Sequence, residues 1–291
     1  MVATTERTGA VRNTILSIML LATIAATMTA QEPGNFAVVN GLKIYYETHG
    51  PKGKGPPLVL LHGGVGGIEM FGPNLAALAQ DRRIIAVDLQ GHGRTADIDR
   101  PLRYELMADD VAGLLKQLGV GKADIMGYSL GGGVALQTAI RHPDVVRKLV
   151  VVSGAFKRSA FYPEVLAIFD KMGPEFGANM KQSPLAKLYP EVDWAKLFGK
   201  LGDLQRQEFD WSRDVAKISA PTMLVFADAD TYGPEHIAEF YKLLGGGQRD
   251  AGLDGSLRSP NRLAVIPGTT HYDILATTAV ASIVRPFLDA K

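Results

Sequence analysis

Residues 124–137, DIMGYSLGGGVALQ, place one serine among four glycines. An apolar run precedes Ser129 and a helix-forming run follows it, so the serine lies where a strand turns into a helix. The two backbones approach closely at such a turn, and Gly127 and Gly131 have no Cβ atoms to collide there. The turn also puts Ser129 at a helix N-terminus, where backbone N–H groups stabilise negative charge. The pattern G-x-S-x-G in this context therefore predicts an exposed, nucleophilic serine.

The composition is that of an ordinary globular protein. Hydrophobic residues make up 46% and charged residues 21% of the 291 residues, and the formal net charge is +1. A chain without a block of like charges has no electrostatic attraction for nucleic acid or acidic lipid, so we expect neither as a partner. The chain has no cysteine, which excludes disulfides, thiolate catalysis and cysteine-ligated metals.

The N-terminal stretch has the features of a secretory signal. Arg7 and Arg12 precede an uncharged segment at residues 14–30, and small residues stand near its end. This order is typical of a signal peptide, so we expect residues 1–30 to be removed after Ala30 and the protein to be periplasmic or secreted. An uncleaved membrane anchor is the alternative, because the segment is at the lower limit of a spanning length. Otherwise no membrane contact is expected.

From residue 36 onward, short β-rich runs alternate with helical patterns. The eight strand-like runs are FAVV, LKIYYETHG, PLVLLHG, RRIIAVDLQGHG, ADIMGYS, RKLVVVSG, PTMLVFADAD and RLAVIPG. Most are continuously apolar, as strands buried on both faces are. The helical patterns lie at 72–80, 104–118, 130–141, 234–244 and 272–288. This alternation predicts an α/β fold, with a doubly wound, mostly parallel, eight-stranded sheet and helices on both faces. Asn40-Gly41, between the first two runs, predicts a tight hairpin.

Residues 157–214 interrupt the alternation. This interval has no strand-like run, and it holds nine aromatic residues and four prolines that divide it into short helices. We expect a helical cap inserted over the edge of the sheet, within a single domain that spans residues 31–291. Most of the aromatic rings should form the core of the insert, and a minority should line a pocket.

A serine hydroxyl is a weak nucleophile until a base takes its proton and an acid orients that base. Among the six histidines, His271 follows the last strand-like run, so a parallel sheet delivers it to the edge that carries Ser129. The run PTMLVFADAD ends in two candidate acids, Asp228 and Asp230. We favour Asp230, which lies past the apolar run and just before a Gly-Pro turn. Asp228 is then a brace of the loop.

Four other histidines have structural interpretations. His142 lies late in the helix that follows the serine and is expected to act as a cation at its C-terminus. His92, in QGHGRT, lies near the correct edge of the sheet but has no obvious acid partner, so it is expected to support its loop. His49 in the hairpin and His236 in the first turn of a helix are expected at the surface.

An oxyanion hole needs two backbone N–H donors. The glycine-rich stretch LLHGGVGG, residues 60–67, follows a strand, and we predict that the N–H groups of Gly64 and Leu130 form this hole. The stretch does not fit the dinucleotide pattern G-x-G-x-x-G, and the chain contains no P-loop. No histidine pair has metal-ligand spacing. We therefore expect neither a cofactor nor a metal.

Five elements in chain order resemble the α/β-hydrolase fold family: LLHGG, DLQGHGRT, GYSLGG, PTMLVFADAD and PGTTH. The order Ser129, Asp230, His271 matches the nucleophile–acid–base order of that family. The resemblance supports Asp230 over Asp228, and it implies that the family's helical cap falls at residues 157–214. It also implies that an acyl-enzyme forms on the serine and that histidine-activated water releases the acid.

The serine narrows the chemistry within the family. Haloalkane dehalogenases and epoxide hydrolases use an aspartate at this position, whereas carboxylic-ester hydrolases, lactonases, carbon–carbon bond hydrolases and cofactor-free perhydrolases share the serine triad. The expected export favours esters and lactones, and the aromatic cap and neutral surface favour hydrophobic, uncharged ones. We therefore predict a carboxylesterase-like serine hydrolase acting on small-molecule esters or lactones. Carbon–carbon hydrolase and perhydrolase are the alternatives, and a non-catalytic small-molecule binding module is a remote one.

Overall fold

A computed structural model describes residues 34–53 and 55–290. The predicted signal peptide, residues 1–30, lies outside these ranges. Within them, no helix combines the length and the apolar character needed to cross a membrane.

Eight strands form one sheet, as predicted. They are β1 (Asn35–Val39), β2 (Leu42–His49), β3 (Leu58–Leu61), β4 (Ile84–Val87), β5 (Ala123–Tyr128), β6 (Val146–Val152), β7 (Thr222–Ala229) and β8 (Arg262–Thr270). Their order is β1-β2-β4-β3-β5-β6-β7-β8, and only the β1–β2 and β2–β4 pairs are antiparallel. The β1–β2 hairpin turns at Asn40 and Gly41, which both have positive φ (51° and 79°), as the tight turn requires.

Ten α-helices accompany the sheet in the described residues. They are α1 (Pro73–Leu78), α2 (Tyr104–Gln117), α3 (Leu130–Arg141), α4 (Pro163–Lys171), α5 (Pro174–Ala178), α6 (Pro184–Leu188), α7 (Trp194–Gln205), α8 (Ser212–Val215), α9 (Pro234–Leu243) and α10 (Ala279–Asp289). The helix predicted at 272–288 is wrong in its first turns, because residues 272–278 form turns and bends. The Asp273 carboxylate accepts hydrogen bonds from the N–H of Thr270 (2.6 Å) and from its hydroxyl (2.9 Å), which stabilises a turn there.

The hydrophobic core lies on both faces of the sheet. In β3, Val59 and Leu61 pack with residues of α2 and α3, whereas Leu58 and Leu60 pack with residues of α1 and α10. All four side chains are buried. Side chains that alternate between two apolar layers explain why the strands read as continuous apolar runs.

The helices α4 to α8 lie between β6 and β7, and α4 to α7 form a helical insert. Where this insert leaves and rejoins the sheet, its two ends pair as a short antiparallel neck (residues 156–158 and 209–211). The N–H of Arg158 donates to the Phe209 carbonyl, and the N–H of Trp211 donates to the Phe156 carbonyl, both at 2.9 Å. The insert thus begins and ends at one place.

Side-chain contacts anchor the insert on the sheet. The Lys200 ammonium of α7 donates to the Asp97 carboxylate at 2.7 Å and to the carbonyls of Ile98 and Arg100 at 2.8 and 2.6 Å. The Tyr189 hydroxyl donates to the Glu69 carboxylate in the loop after β3. These bonds connect the second half of the insert to loops at the carboxyl edge of the sheet.

Candidate active site

Ser129 stands between β5 and α3 with φ of 52° and ψ of −115°, a conformation that side-chain-bearing residues rarely adopt. The close approach needed there excludes Cβ atoms at the neighbouring glycines. A Cβ on Gly127 would lie 1.9 Å from the Gly131 carbonyl oxygen, and one on Gly131 would lie 2.1 Å from the Leu61 carbonyl oxygen. The glycines around the serine are therefore required by the geometry of the turn.

The three residues predicted as a triad are brought together. The His271 Nε2 lies 3.0 Å from the Ser129 Oγ, and the His271 Nδ1 lies 2.8 Å from the Asp230 Oδ1. With the Nδ1 proton donated to the carboxylate, Nε2 is free to accept the serine proton. Asp230 and His271 follow β7 and β8, so three strand ends deliver the three groups to one edge.

Asp230 is a buried carboxylate with donors on both of its oxygens. Its Oδ1 accepts from His271 and from the N–H of Thr231 (2.8 Å), and its Oδ2 accepts from the Ser153 hydroxyl (2.6 Å) and the N–H of Ala227 (3.1 Å). Burial raises the pKa of Asp230, but the partner His271 and the hydrogen bonds from Ser153 and Thr231 outweigh it, and the pKa is lower than usual. The carboxylate is thus ionised at neutral pH.

Asp228, the other candidate acid, is exposed. Its oxygens accept from the N–H groups of Gly268 (2.9 Å) and Thr269 (3.1 Å). This carboxylate therefore braces the turn that leads to His271.

A large cavity opens beside Ser129 and His271. Its volume is about 1450 Å³, and Gly64 and Leu130 line it together with these two residues. From the insert, apolar side chains line it, among them Phe161, Val165, Phe169, Leu185 and Tyr189. Three of the nine aromatic residues of the insert thus face the cavity, in agreement with the expected minority.

Comparisons with known proteins show the family of the chain. Residues 56–191 match the family model described as alpha/beta hydrolase fold. Over 254 residues, the chain is 30% identical to the pimeloyl-[acyl-carrier protein] methyl ester esterase of Neisseria meningitidis, a match that covers 79% of this chain and 92% of the relative. The chain belongs to the alpha/beta hydrolase fold family. It is an enzyme of the hydrolase class.

Two further similar proteins differ in sequence identity and in the share of each chain that the match covers. The RutD protein of Caulobacter vibrioides, named as a carbamate hydrolase, is 38% identical to this hydrolase over 166 residues, which are 54% of this chain but only 58% of the relative. The crystal structure of an enol-lactonase from Burkholderia xenovorans superposes with a TM-score of 0.69 and 21% identity, covering 88% of this chain and all of that one. At that identity the likeness shows the fold alone.

In the loop that carries Gly64, the predicted oxyanion-hole donor of this hydrolase, the side chain of His62 stabilises the backbone. This buried ring contacts the Gly63 carbonyl through Nδ1 (2.6 Å) and accepts the N–H of Leu89 at Nε2 (3.0 Å). Burial lowers the pKa of His62 to about 4, so the ring is neutral and able to accept. The ring thereby connects the loop that carries Gly64 to the loop after β4.

A buried carboxylate holds the same loop from a second side. Asp88 accepts from the N–H groups of Ile68 and Arg94, both at 2.9 Å, and it forms an ion pair with the Arg94 guanidinium (3.2 Å). Burial raises the pKa of Asp88 to about 6. Val65, within this loop, has φ of 67°, a strained conformation for a β-branched residue, so the loop is tightly constrained next to Gly64.

The remaining histidines lie away from the triad contacts, and one prediction about them is wrong. His142 pairs with Asp109 (2.7 Å), buried His92 contacts the Gln90 carbonyl (2.8 Å), and His49 is half-buried beside Glu47. His236, predicted at the surface, is buried.

The burial of His236 follows from the orientation of α9. Its ring stacks on Phe156 with centroids 4.7 Å apart, and Phe240, one turn further along, contacts the same ring. The spacing of His236 and Phe240 is the available sequence signal for a shared inward face.

Sequence reasoning missed three residues that contact the triad. The Tyr128 hydroxyl donates to the His271 carbonyl at 2.6 Å, and the Thr231 hydroxyl lies 3.2 Å from the His271 Nδ1. Ser153, which bonds to Asp230, completes the set. Tyr128 and Ser153 stand at the ends of β5 and β6, so their positions at strand ends were the available signal.

Proposed function

We propose that this hydrolase cleaves carboxylic esters, lactones included, of hydrophobic and uncharged compounds through an acyl-enzyme on Ser129. One observation carries the proposal: the hydrogen-bonded chain from Ser129 through His271 to Asp230 opens onto a largely apolar cavity. The name of one similar protein, a methyl ester esterase, supports this choice of bond.

The geometry supports acyl transfer in two halves. As the Ser129 oxygen attacks the ester carbonyl carbon, His271 takes the hydroxyl proton at Nε2, and the carbonyl oxygen becomes an oxyanion that the N–H groups of Gly64 and Leu130 stabilise. The carbon–oxygen bond to the alcohol then breaks, and the imidazolium returns its proton to that leaving oxygen. In the second half, His271 takes a proton from water, and the water oxygen attacks the acyl carbon. The bond from that carbon to the Ser129 oxygen then breaks, and the imidazolium returns its proton to the serine as the acid leaves.

Asp230 supports both halves by its charge. The ionised carboxylate keeps the imidazole in the tautomer whose Nε2 accepts, and it stabilises the imidazolium that forms in each half. Because Asp230 is buried, this attraction is less screened than it is in water.

The substrate class follows from the cavity. Its volume of about 1450 Å³ exceeds the roughly 300–1,000 Å³ typical of pockets for drug-sized ligands, so bulky acyl or alcohol groups fit. The cavity wall includes the charged side chains of Glu47, Lys52, Glu69 and Arg94, and the last two form an ion pair with each other. This part of the wall thus favours neutral groups.

A panel of p-nitrophenyl esters from acetate to laurate tests the proposal with the purified protein. We expect turnover that depends on acyl length, stoichiometric labelling of Ser129 by a fluorophosphonate, and turnover lowered roughly a thousandfold or more in Ser129→Ala. Product analysis with lactones, carbamates, vinylogous diketones and peroxide plus acid separates ester cleavage from the alternatives. Labelling without hydrolysis of any ester or lactone would overturn the proposal in favour of those alternatives.

A further inference from the structure

Ser153 is a fully buried serine at the end of β6, between the strands that deliver Ser129 and Asp230. Its hydroxyl lies 2.6 Å from the Asp230 Oδ2. An ionised carboxylate has no proton to give, so the hydroxyl is the donor. A buried, charge-assisted hydrogen bond of this length is among the strong ones.

The backbone of Ser153 is held in an unusual conformation that aims this hydroxyl. Its φ is 47°, in the left-handed region that disfavours side-chain-bearing residues. Its N–H donates to the Val225 carbonyl at 2.8 Å, and its carbonyl accepts from the Tyr232 hydroxyl at 3.0 Å. The strained residue is therefore fixed on both sides, which is typical of positions that serve a site.

The two Asp230 oxygens have different partners. Oδ1 faces His271, whereas Oδ2 is held by the Ser153 hydroxyl and the N–H of Ala227. Fixing Oδ2 sets the plane of the carboxylate, and that plane directs Oδ1 at the imidazole. A carboxylate without the Ser153 bond is freer to rotate and is a stronger base.

We propose that Ser153 is a positioning residue of this enzyme, which fixes the Asp230 carboxylate against His271 and moderates its basicity. The inference rests on the proposed function, because it assigns Ser153 to the same hydrogen-bonded chain of Ser129, His271 and Asp230. Ser153 acts through Asp230 and contacts neither Ser129 nor the substrate.

A pH profile of kcat/KM detects this role, because the other titratable groups around Asp230 keep their charge over the pH range that is measured. Burial raises the pKa of Tyr128, Tyr232 and Tyr272 and lowers that of His236 to about 4. None of them changes charge between about pH 5 and pH 9. Asp88, which holds the loop that carries Gly64, lies apart from Asp230 but has its pKa raised to about 6 by burial. The difference between the acidic limbs of variant and wild type, rather than the position of the limb, therefore reports the Asp230–His271 pair.

The experiment compares wild type, S153A and S153G, by ester hydrolysis and by the rate of fluorophosphonate labelling at Ser129, across this pH range. S153G also removes the hydroxyl, and it tolerates the positive φ, so one variant serves if the other does not fold. We expect kcat to fall about tenfold with KM nearly unchanged, and the acidic limb to move up by roughly half to one pH unit. Thr222→Val, which removes a buried hydroxyl at the far end of β7, should change neither kcat nor the acidic limb.

An Asp230→Asn background completes the test. If Ser153 acts through Asp230, S153A adds less than about twofold there, because coupled residues are not additive. Unchanged kcat and an unmoved limb in both variants, or the same tenfold loss in the Asp230→Asn background, would overturn the inference. The labelling rate keeps the test valid without ester turnover, so failure of the proposed function is recognised separately.

Discussion

The substitution Gly127→Ala tests the geometric basis of the site. The added Cβ would lie 1.9 Å from the Gly131 carbonyl oxygen and 2.7 Å from the Gly132 nitrogen, which are backbone atoms that cannot rotate away. Restoring the 3.4 Å of ordinary contact requires the end of β5 and the start of α3 to separate by about 1.5 Å. A displacement of roughly 1 Å at a reacting group can cost about a hundredfold in rate, and overpacking costs about 1–3 kcal/mol of stability.

We therefore expect Gly127→Ala to lower kcat/KM at least about a hundredfold, and to slow fluorophosphonate labelling of Ser129 by a similar factor. Thermal unfolding should shift to lower temperature. Gly121→Ala is the matched control, because a Cβ there meets nothing within 4 Å, and it should leave both measurements unchanged. If Gly127→Ala keeps kcat/KM and the unfolding temperature within error of Gly121→Ala, the close-approach argument is wrong.

Three further predictions concern the triad. Ser129→Ala and His271→Ala should each lower kcat/KM roughly a thousandfold or more with unchanged circular dichroism, and residual activity within about tenfold of wild type would contradict their roles. Asp230→Asn should lower kcat more than about a hundredfold in the same assay, whereas Asp228→Asn removes only a loop brace and should cost less than about threefold; the reverse order would transfer the acid role to Asp228. Because the pKa of Asp230 is depressed by folding, its stabilising contribution is present above about pH 4 and is lost as the pH falls through its folded value. The unfolding temperature of the wild type should therefore fall more steeply on acidification than that of Asp230→Asn. If the two unfolding temperatures fall in parallel with pH, Asp230 does not make this contribution.

The positions of the three reactive groups were accessible from the sequence for a physical reason. Parallel strands connected by helices all end at one edge, so side chains that follow separate strands meet without any knowledge of loop conformation. Ser129, Asp230 and His271 each stand directly after such a strand. The glycine spacing around the serine added the local constraint.

What the sequence did not predict depends on tertiary packing. Ser153 has the same relation to β6 that Asp230 has to β7, but a hydroxyl carries no local signal of the carboxylate it will meet. His236 reads as a polar residue in a first turn, and only the packing of α9 on Phe156 decides that it is buried. Residues 272–278 have a helical pattern, but Asp273 instead stabilises a turn through Thr270.

The paired neck separates the residues of the insert that shape the cavity from the reactive residues at the strand ends. Since residues 156–158 and 209–211 hydrogen-bond to each other, everything between them is a closed excursion, and changes of its length cost little loop-closure entropy. Apolar side chains that shape the cavity, such as Phe161 and Leu185, belong to that excursion, whereas the reactive groups stay on the strands. Replacing the insert at this neck is accordingly the direct way to change the substrate specificity while the reactive groups stay the same.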